Sequence, residues 1–133
     1  MPRVLSSAAL ALIEQPVIGH LATIDERGRA HVTPIWIDHQ GGDVVFNTAE
    51  GRVKTRHIRN NPNVGLSLVK PDDPYSAIAL SGKVTEISTE GADDHIDALA
   101  KKYLGVDSYP MRREGEIRVK VRIEPVHIMM QPA

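Results

Sequence analysis

The chain has 133 residues, 41% hydrophobic and 25% charged, with a formal net charge of -1 and no cysteine. This describes one soluble globular domain, 1–133, able to bury a core. The near-neutral charge argues against a general nucleic-acid binder, and the missing cysteines exclude disulfides, thiolate nucleophiles and cysteine-ligated metals. No apolar run approaches the ~18 residues of a membrane span and no signal-peptide pattern opens the chain, so a cytoplasmic protein without membrane insertion is expected.

Ser6 or Ser7 is placed to cap a first helix that runs through Gln15 and stops at Pro16. Ile18–Ile24 reads as a strand, and Asp25-Glu26-Arg27-Gly28 as a hairpin turn with glycine at its end. Ala30–Asp38 is the second strand. Its Pro34 has no N–H for a ladder and marks an edge, a bulge or a ligand-facing gap. His39-Gln40-Gly41-Gly42 turns the chain into a third strand, Asp43–Thr48.

After a turn at Ala49-Glu50-Gly51 comes a short basic helix that Pro62 stops. Val64–Val69 is a fourth strand, 70–74 a loop, and Tyr75–Ile87 a long strand with a bend or bulge at Gly82. Ser88 and Thr89 are candidates to cap a third helix, with Asp93 and Asp94 early, Lys101 and Lys102 late, and Gly105 as its C′ residue. Residues 106–115 are irregular. The last strand, Glu116–Met129, puts Ile117, Val119, Val121 and Ile123 on one face and Arg118, Lys120 and Arg122 on the other. That cationic row reads as a solvated or aggregation-resistant face, or as a surface for a polyanion. Strands joined by tight turns predict a mainly β fold: an antiparallel barrel with helices packed outside.

The basic helix is the informative stretch. A helix N-terminus offers free N–H groups and partial positive charge to an anion, and here it also carries Arg52 and Lys54, with the Thr48 hydroxyl just before the turn. At about 100° per residue, Arg52, Thr55, Arg56 and Arg59 share one side, and Val53, Lys54, His57 and Ile58 the other. The apolar side faces the sheet, so Lys54 projects inward and needs a partner such as a phosphate. The alternative is a basic surface helix from which Lys54 snorkels out.

Side-chain chemistry is otherwise sparse. The six histidines show no metal-ligand spacing, so no metal site is expected, and no nucleophile elbow, Walker loop or dinucleotide fingerprint occurs. His20, His31 and His127 read as strand residues at the surface or core edge. The acidic residues form no evident acid/base pair, so no catalytic side chain is assigned. An enzyme of this kind relies on a cofactor, with the chain supplying binding and orientation.

Gly19–Ile24, Arg29–Trp36, Asn47-Thr48, Gly51–Arg56 and Asn60-Asn61-Pro62, in this order and spacing, make the chain resemble the pyridoxamine 5′-phosphate oxidase-like split β-barrel proteins, and within them the actinobacterial F420-dependent reductases. The resemblance implies a six-stranded antiparallel split β-barrel of the FMN-binding type. It also implies a homodimer with cofactor sites between the subunits, and coenzyme F420 as cofactor, with FMN the alternative. The cofactor residues it implies are Thr33, Pro34, Ile35 and Trp36 along the ring and ribityl chain, and Asn47, Thr48, Arg52, Lys54 and Thr55 around the phosphate, together with Tyr75 and Ser76.

Where the flavin-binding oxidases carry Arg, Lys and Arg, this chain has Val32, Ile37 and Val53. That departure speaks against pyridoxamine-phosphate oxidation, and Arg52 matches the F420-binding branch. Arg52, Arg56 and Arg59 offer a cationic path for an oligoglutamate tail. The expected activity is hydride transfer from reduced deazaflavin to a small organic acceptor of the quinone, tetrapyrrole or conjugated-lactone class. The alternatives are an FMN-dependent oxidase or flavin reductase, and a non-catalytic F420 carrier.

Overall fold

The structure, a computed structural model, describes residues 4–131. In chain order the elements are α1 (Ser7–Glu14), β1 (Ile18–Ile24), β2 (Ala30–Gln40), β3 (Asp43–Ala49), α2 (Val53–Asn60), β4 (Asn63–Lys70), β5 (Asp73–Ser88), α3 (Ala92–Leu104) and β6 (Arg118–Gln131). All strand pairs are antiparallel, and the order β1-β2-β3-β6-β5-β4 closes into a barrel through β4 and β1. The expected mainly β barrel is therefore found, with three helices packed on six strands.

Alternation of apolar residues fills the barrel. Leu21, Ile37, Val44, Phe46, Leu68, Ile78, Val121 and Ile123 point inward and are fully buried. α1 adds Ala9, Leu12 and Ile13 to the same core, and its N-cap Ser6 accepts from the Ala9 N–H as expected. β3 is buried on both faces because α3 covers its outside, so Val45 is as hidden as Val44. The β2–β3 hairpin closes through Gly41 and Gly42 at φ 58° and 87°, the backbone of a two-residue type I′ turn. The β5–β6 register slips at Ser81/Gly82 and again at Val84/Glu86, which confirms the irregularity expected at Gly82. There a Cβ would sit 2.5 Å from Ile123 Cγ2.

Four sequence expectations are corrected. α3 is capped by Gly91 in the left-handed region, because β5 runs on through Ser88; the Ser88 hydroxyl instead accepts from the Glu90 N–H. Ile117 is exposed, since β6 starts only at Arg118. In α2, Thr55 is buried and Val53 exposed, the reverse of the expected faces. The Thr55 hydroxyl donates to Ala49 O at 2.8 Å, which turns this residue under the β3–α2 turn and rotates the buried stripe onto Thr55, His57 and Ile58. Finally, Arg118 is not on a solvated face: it is 7% exposed, and Arg122 is tied to Asp43 at 2.7 Å.

The barrel is closed but not evenly paired. β2 pairs with β1 over Ala30–Trp36 and with β3 only over Ile37–Gln40. β3 beyond Phe46 pairs only with β6. The two strands therefore splay apart past Ile37 and Phe46. α3 and the segment after it lie over that seam.

Candidate functional site

Tyr103 of α3 sets one end of the seam. Its hydroxyl accepts from the Ile37 N–H at 3.0 Å and donates to Val17 O at 2.5 Å. It thus bridges β2 to the residue before β1, where the β1–β2 ladder has run out. Lys102 beside it donates to Ile13 O and Ile37 O. Burial pushes the Lys102 ammonium below its ordinary pKa, against the pull of Asp38 and Glu14.

The Ile37 N–H and C=O thus point to the β1 side. By strand alternation Pro34, three residues earlier, points the other way, to the unpaired edge. Pro34 therefore leaves out a hydrogen bond that no neighbouring strand would have made, and the edge reading of the sequence is the one realised.

Along this edge lies a cleft of about 350 Å³. Ile18, Pro34, Ile35, Ile96, Leu99 and Met111 form its apolar wall, with Trp36 and Tyr109 as its aromatic part. Trp36 stacks on Tyr103 (5.1 Å between centroids, 9° between planes) and meets Tyr109 edge-on. Tyr109 is held to α3 through its N–H, which donates to Asp97 at 2.8 Å, and Arg112 binds the same carboxylate.

The far end of the cleft is cationic. Lys54 is half-buried and, among the described residues, has no carboxylate or hydrogen-bond partner. Burial first, then Arg52 and Arg118, hold its ammonium below the ordinary lysine pKa. Glu116 binds both arginines, Arg52 at 3.1 Å and Arg118 at 3.2 Å. Three cations thus face one carboxylate. An added anion relieves that imbalance, so the site fits a ligand with a flat apolar body and an anionic end.

Of the residues singled out in the sequence, Pro34, Ile35, Trp36, Asn47 and Lys54 line this cleft. Thr48 and Thr55 sit beneath it, buried and joined hydroxyl to hydroxyl at 3.4 Å. Arg52 stands beside Lys54. Thr33 turns into the barrel, where its hydroxyl is buried without a partner. Tyr75 is exposed, and Ser76 lines a separate apolar groove between α1 and the end of β6; one chain does not bring either residue to the cleft. Arg52 and Arg59 are ion-paired with Glu116 and Glu50, while Arg56 of the expected tail path has no ion-pair partner among the described residues. Sequence reasoning missed Tyr109, Met111, Ile96, Leu99 and the buried role of Arg118. Only Arg118 gave a signal, as one of three cations on a strand.

Among the described residues no helix is long and apolar enough to cross a membrane. A profile described as pyridoxamine 5′-phosphate oxidase matches residues 5–129. A solved structure described as an F420 reductase is 30% identical, with a TM-score of 0.81 over 91% of this chain and 95% of that one. Two more distant structures share the fold. A conserved hypothetical protein of Mycobacterium tuberculosis is 22% identical (TM-score 0.74, 98% of this chain, 88% of that one). General Stress Protein 26 of Bacillus anthracis is also 22% identical (TM-score 0.68, 91% and 88%). Comparison with curated proteins returns no match. The profile match over nearly the whole chain, on a barrel that opens between β2 and β3, places this chain in the pyridoxamine 5′-phosphate oxidase family.

Proposed function

We infer that the protein is an oxidoreductase that binds coenzyme F420 at the β2–β3 seam and serves hydride transfer to a small organic acceptor of the quinone, tetrapyrrole or conjugated-lactone class. The observation that carries this reading is Lys54, half-buried with no carboxylate partner among the described residues, at the end of an apolar, aromatic cleft. The resemblance to an F420 reductase supports the choice of cofactor. The cofactor supplies the hydride. The chain's own residues hold and orient it. Lys54, Arg52 and Arg118 take the anionic group. The free edge of β2 offers the Trp36 N–H and the Pro34 carbonyl to polar ring edges. Ile35, Leu99 and Met111 keep water from one face.

A second reading, an FMN-dependent oxidase or flavin reductase, is favoured by the family match itself. Against it, Val32 and Val53 are exposed, uncharged residues where that branch uses cations. A non-catalytic F420 carrier would share the cleft but turn over no acceptor. The exposed apolar residues Ile18 and Met111 of the cleft, with exposed Val32 two residues before Pro34 on β2, support a homodimer that completes the site.

Trp36 is the only tryptophan and lines the cleft, so saturable quenching of its emission reports occupancy. Coenzyme F420 is expected to quench at lower concentration than FMN. Tighter binding of FMN would overturn the deazaflavin assignment, and no binding of either would overturn the site.

A further inference from the structure

Arg118 reaches the cationic end of the cleft from inside the protein, and the side chains behind it form a chain with a single consistent proton arrangement. Arg118 Nε can only donate, and it lies 2.8 Å from Asn47, which must present its oxygen there. The Asn47 amide nitrogen then faces the other way. One of its hydrogens goes to Ala92 O at 2.8 Å and the other to His95 Nδ1 at 3.2 Å. An amide NH₂ can only donate, so His95 Nδ1 must be bare and the ring proton must sit on Nε2. Nε2 is buried and points at Asp38 Oδ2, 3.7 Å away, too far for a direct hydrogen bond but close enough to favour a proton on that side.

We propose that His95 is a positioning residue for the anion-binding end of the cleft: as the neutral Nε2–H tautomer it fixes the Asn47 amide, which in turn holds the Arg118 guanidinium facing the ligand. The inference rests on the cofactor reading for its consequence in binding, but not for the geometry. A second proton on His95 sets Nδ1–H against the Asn47 NH₂. Flipping the amide does not help, because its oxygen would then face Ala92 O and its NH₂ would face Arg118. Unflipped, Asn47 loses its His95 contact and is held by Ala92 O alone; flipped, it loses Arg118. The charged and titratable groups around His95 are Asp38 and His39 from β2 and Lys120 from β6, which border the same small cavity. Arg118 of β6 acts through Asn47, and Lys102 of α3 acts on Asp38. Asp38 is held below the usual carboxylate range, first by the His95 ring and then by the His39 N–H and the Lys102 charge, against the effect of burial.

The test follows the Arg118 Nε–H resonance and the His95 ring nitrogens in the ligand-free protein, in parallel with F420 and FMN titrations. At about pH 7.5 the ring is expected as Nε2–H with Nδ1 unprotonated. His95→Gln keeps an acceptor for Asn47 and retains both the Arg118 signal and the affinity. His95→Leu removes the acceptor, displaces the Arg118 signal and weakens binding by about five- to tenfold, one ordinary hydrogen bond's worth. An Nδ1–H tautomer at neutral pH, or an Arg118 signal unchanged in His95→Leu, would overturn the proposal. Should the Arg118 signal follow His95 while neither cofactor binds, the positioning stands and the cofactor reading falls.

Discussion

Replacing Tyr103 with Phe removes one oxygen and keeps the ring that stacks on Trp36. The hydroxyl serves two backbone groups of residues with no solvent exposure, the Ile37 N–H at 3.0 Å and Val17 O at 2.5 Å. Its longer contact with Ile37 O at 3.4 Å adds little, and Lys102 still serves that carbonyl. A buried group left without a partner costs about 1–3 kcal/mol. The Ile37 N–H and Val17 O face each other across the lost oxygen and can relax together, so about 2–4 kcal/mol, the lower part of the summed range, is expected for the pair. At roughly 3–4 °C per kcal/mol for a chain of this size, Tm should fall by roughly 6–16 °C. Urea unfolding should show a lower midpoint at unchanged slope, because the folded surface is the same. A loss below about 0.5 kcal/mol would mean that water replaces the hydroxyl without cost, and that Tyr103 does not complete the β1–β2 ladder.

Other perturbations test the site and its frame. Lys54→Ala should weaken cofactor binding by about ten- to a hundredfold; unchanged affinity in a folded variant would remove Lys54 from the site. A bound anion favours the Lys54 ammonium, whose pKa in the free protein lies below the ordinary 10.5. Affinity is therefore full below that lowered pKa and falls as pH rises through it; Lys54→Arg should abolish this alkaline limb, and a limb that persists would belong to another group. Gly82→Ala should destabilise by about 1–3 kcal/mol, because the added Cβ meets Ile123 Cγ2 at 2.5 Å and Glu124 O at 2.9 Å; calorimetry showing no loss would mean the bulge relaxes freely. Light scattering should give a dimer at micromolar concentration, and a monomer that still binds cofactor would exclude a shared site.

What the sequence revealed followed from local physics. Strand alternation located Ile18–Ile24 to the residue, and Pro16, Gly28, Pro62 and Gly105 marked ends that the structure keeps. The half-buried placement of Lys54 was legible from helical phase, although the same phase argument misplaced Val53 and Thr55. Two turns of helix are too short for periodicity to outweigh one side-chain bond, Thr55 to Ala49. Tyr109 and Met111 were illegible because an irregular segment has no period, and its path is set by distant Asp97. Arg118 looked like a surface cation because nothing local announces that Asn47 of β3, far away in sequence, lies beside it.

The unpaired stretch of β2 also bears on how the protein avoids itself. An open strand edge is a template on which another chain can add a strand, and the start of fibril growth. Here the edge beside the cleft has its middle donor missing at Pro34, and Trp36 stands against the neighbouring rings. An extended peptide laid along Ala30–Trp36 would find the hydrogen-bond rhythm broken where it most needs to be continuous. A small flat molecule needs only one or two of those backbone groups and loses nothing. The same proline thus leaves the opening accessible to the proposed ligand and unattractive to strands, so a change such as Pro34→Val would threaten solubility before it threatened the fold.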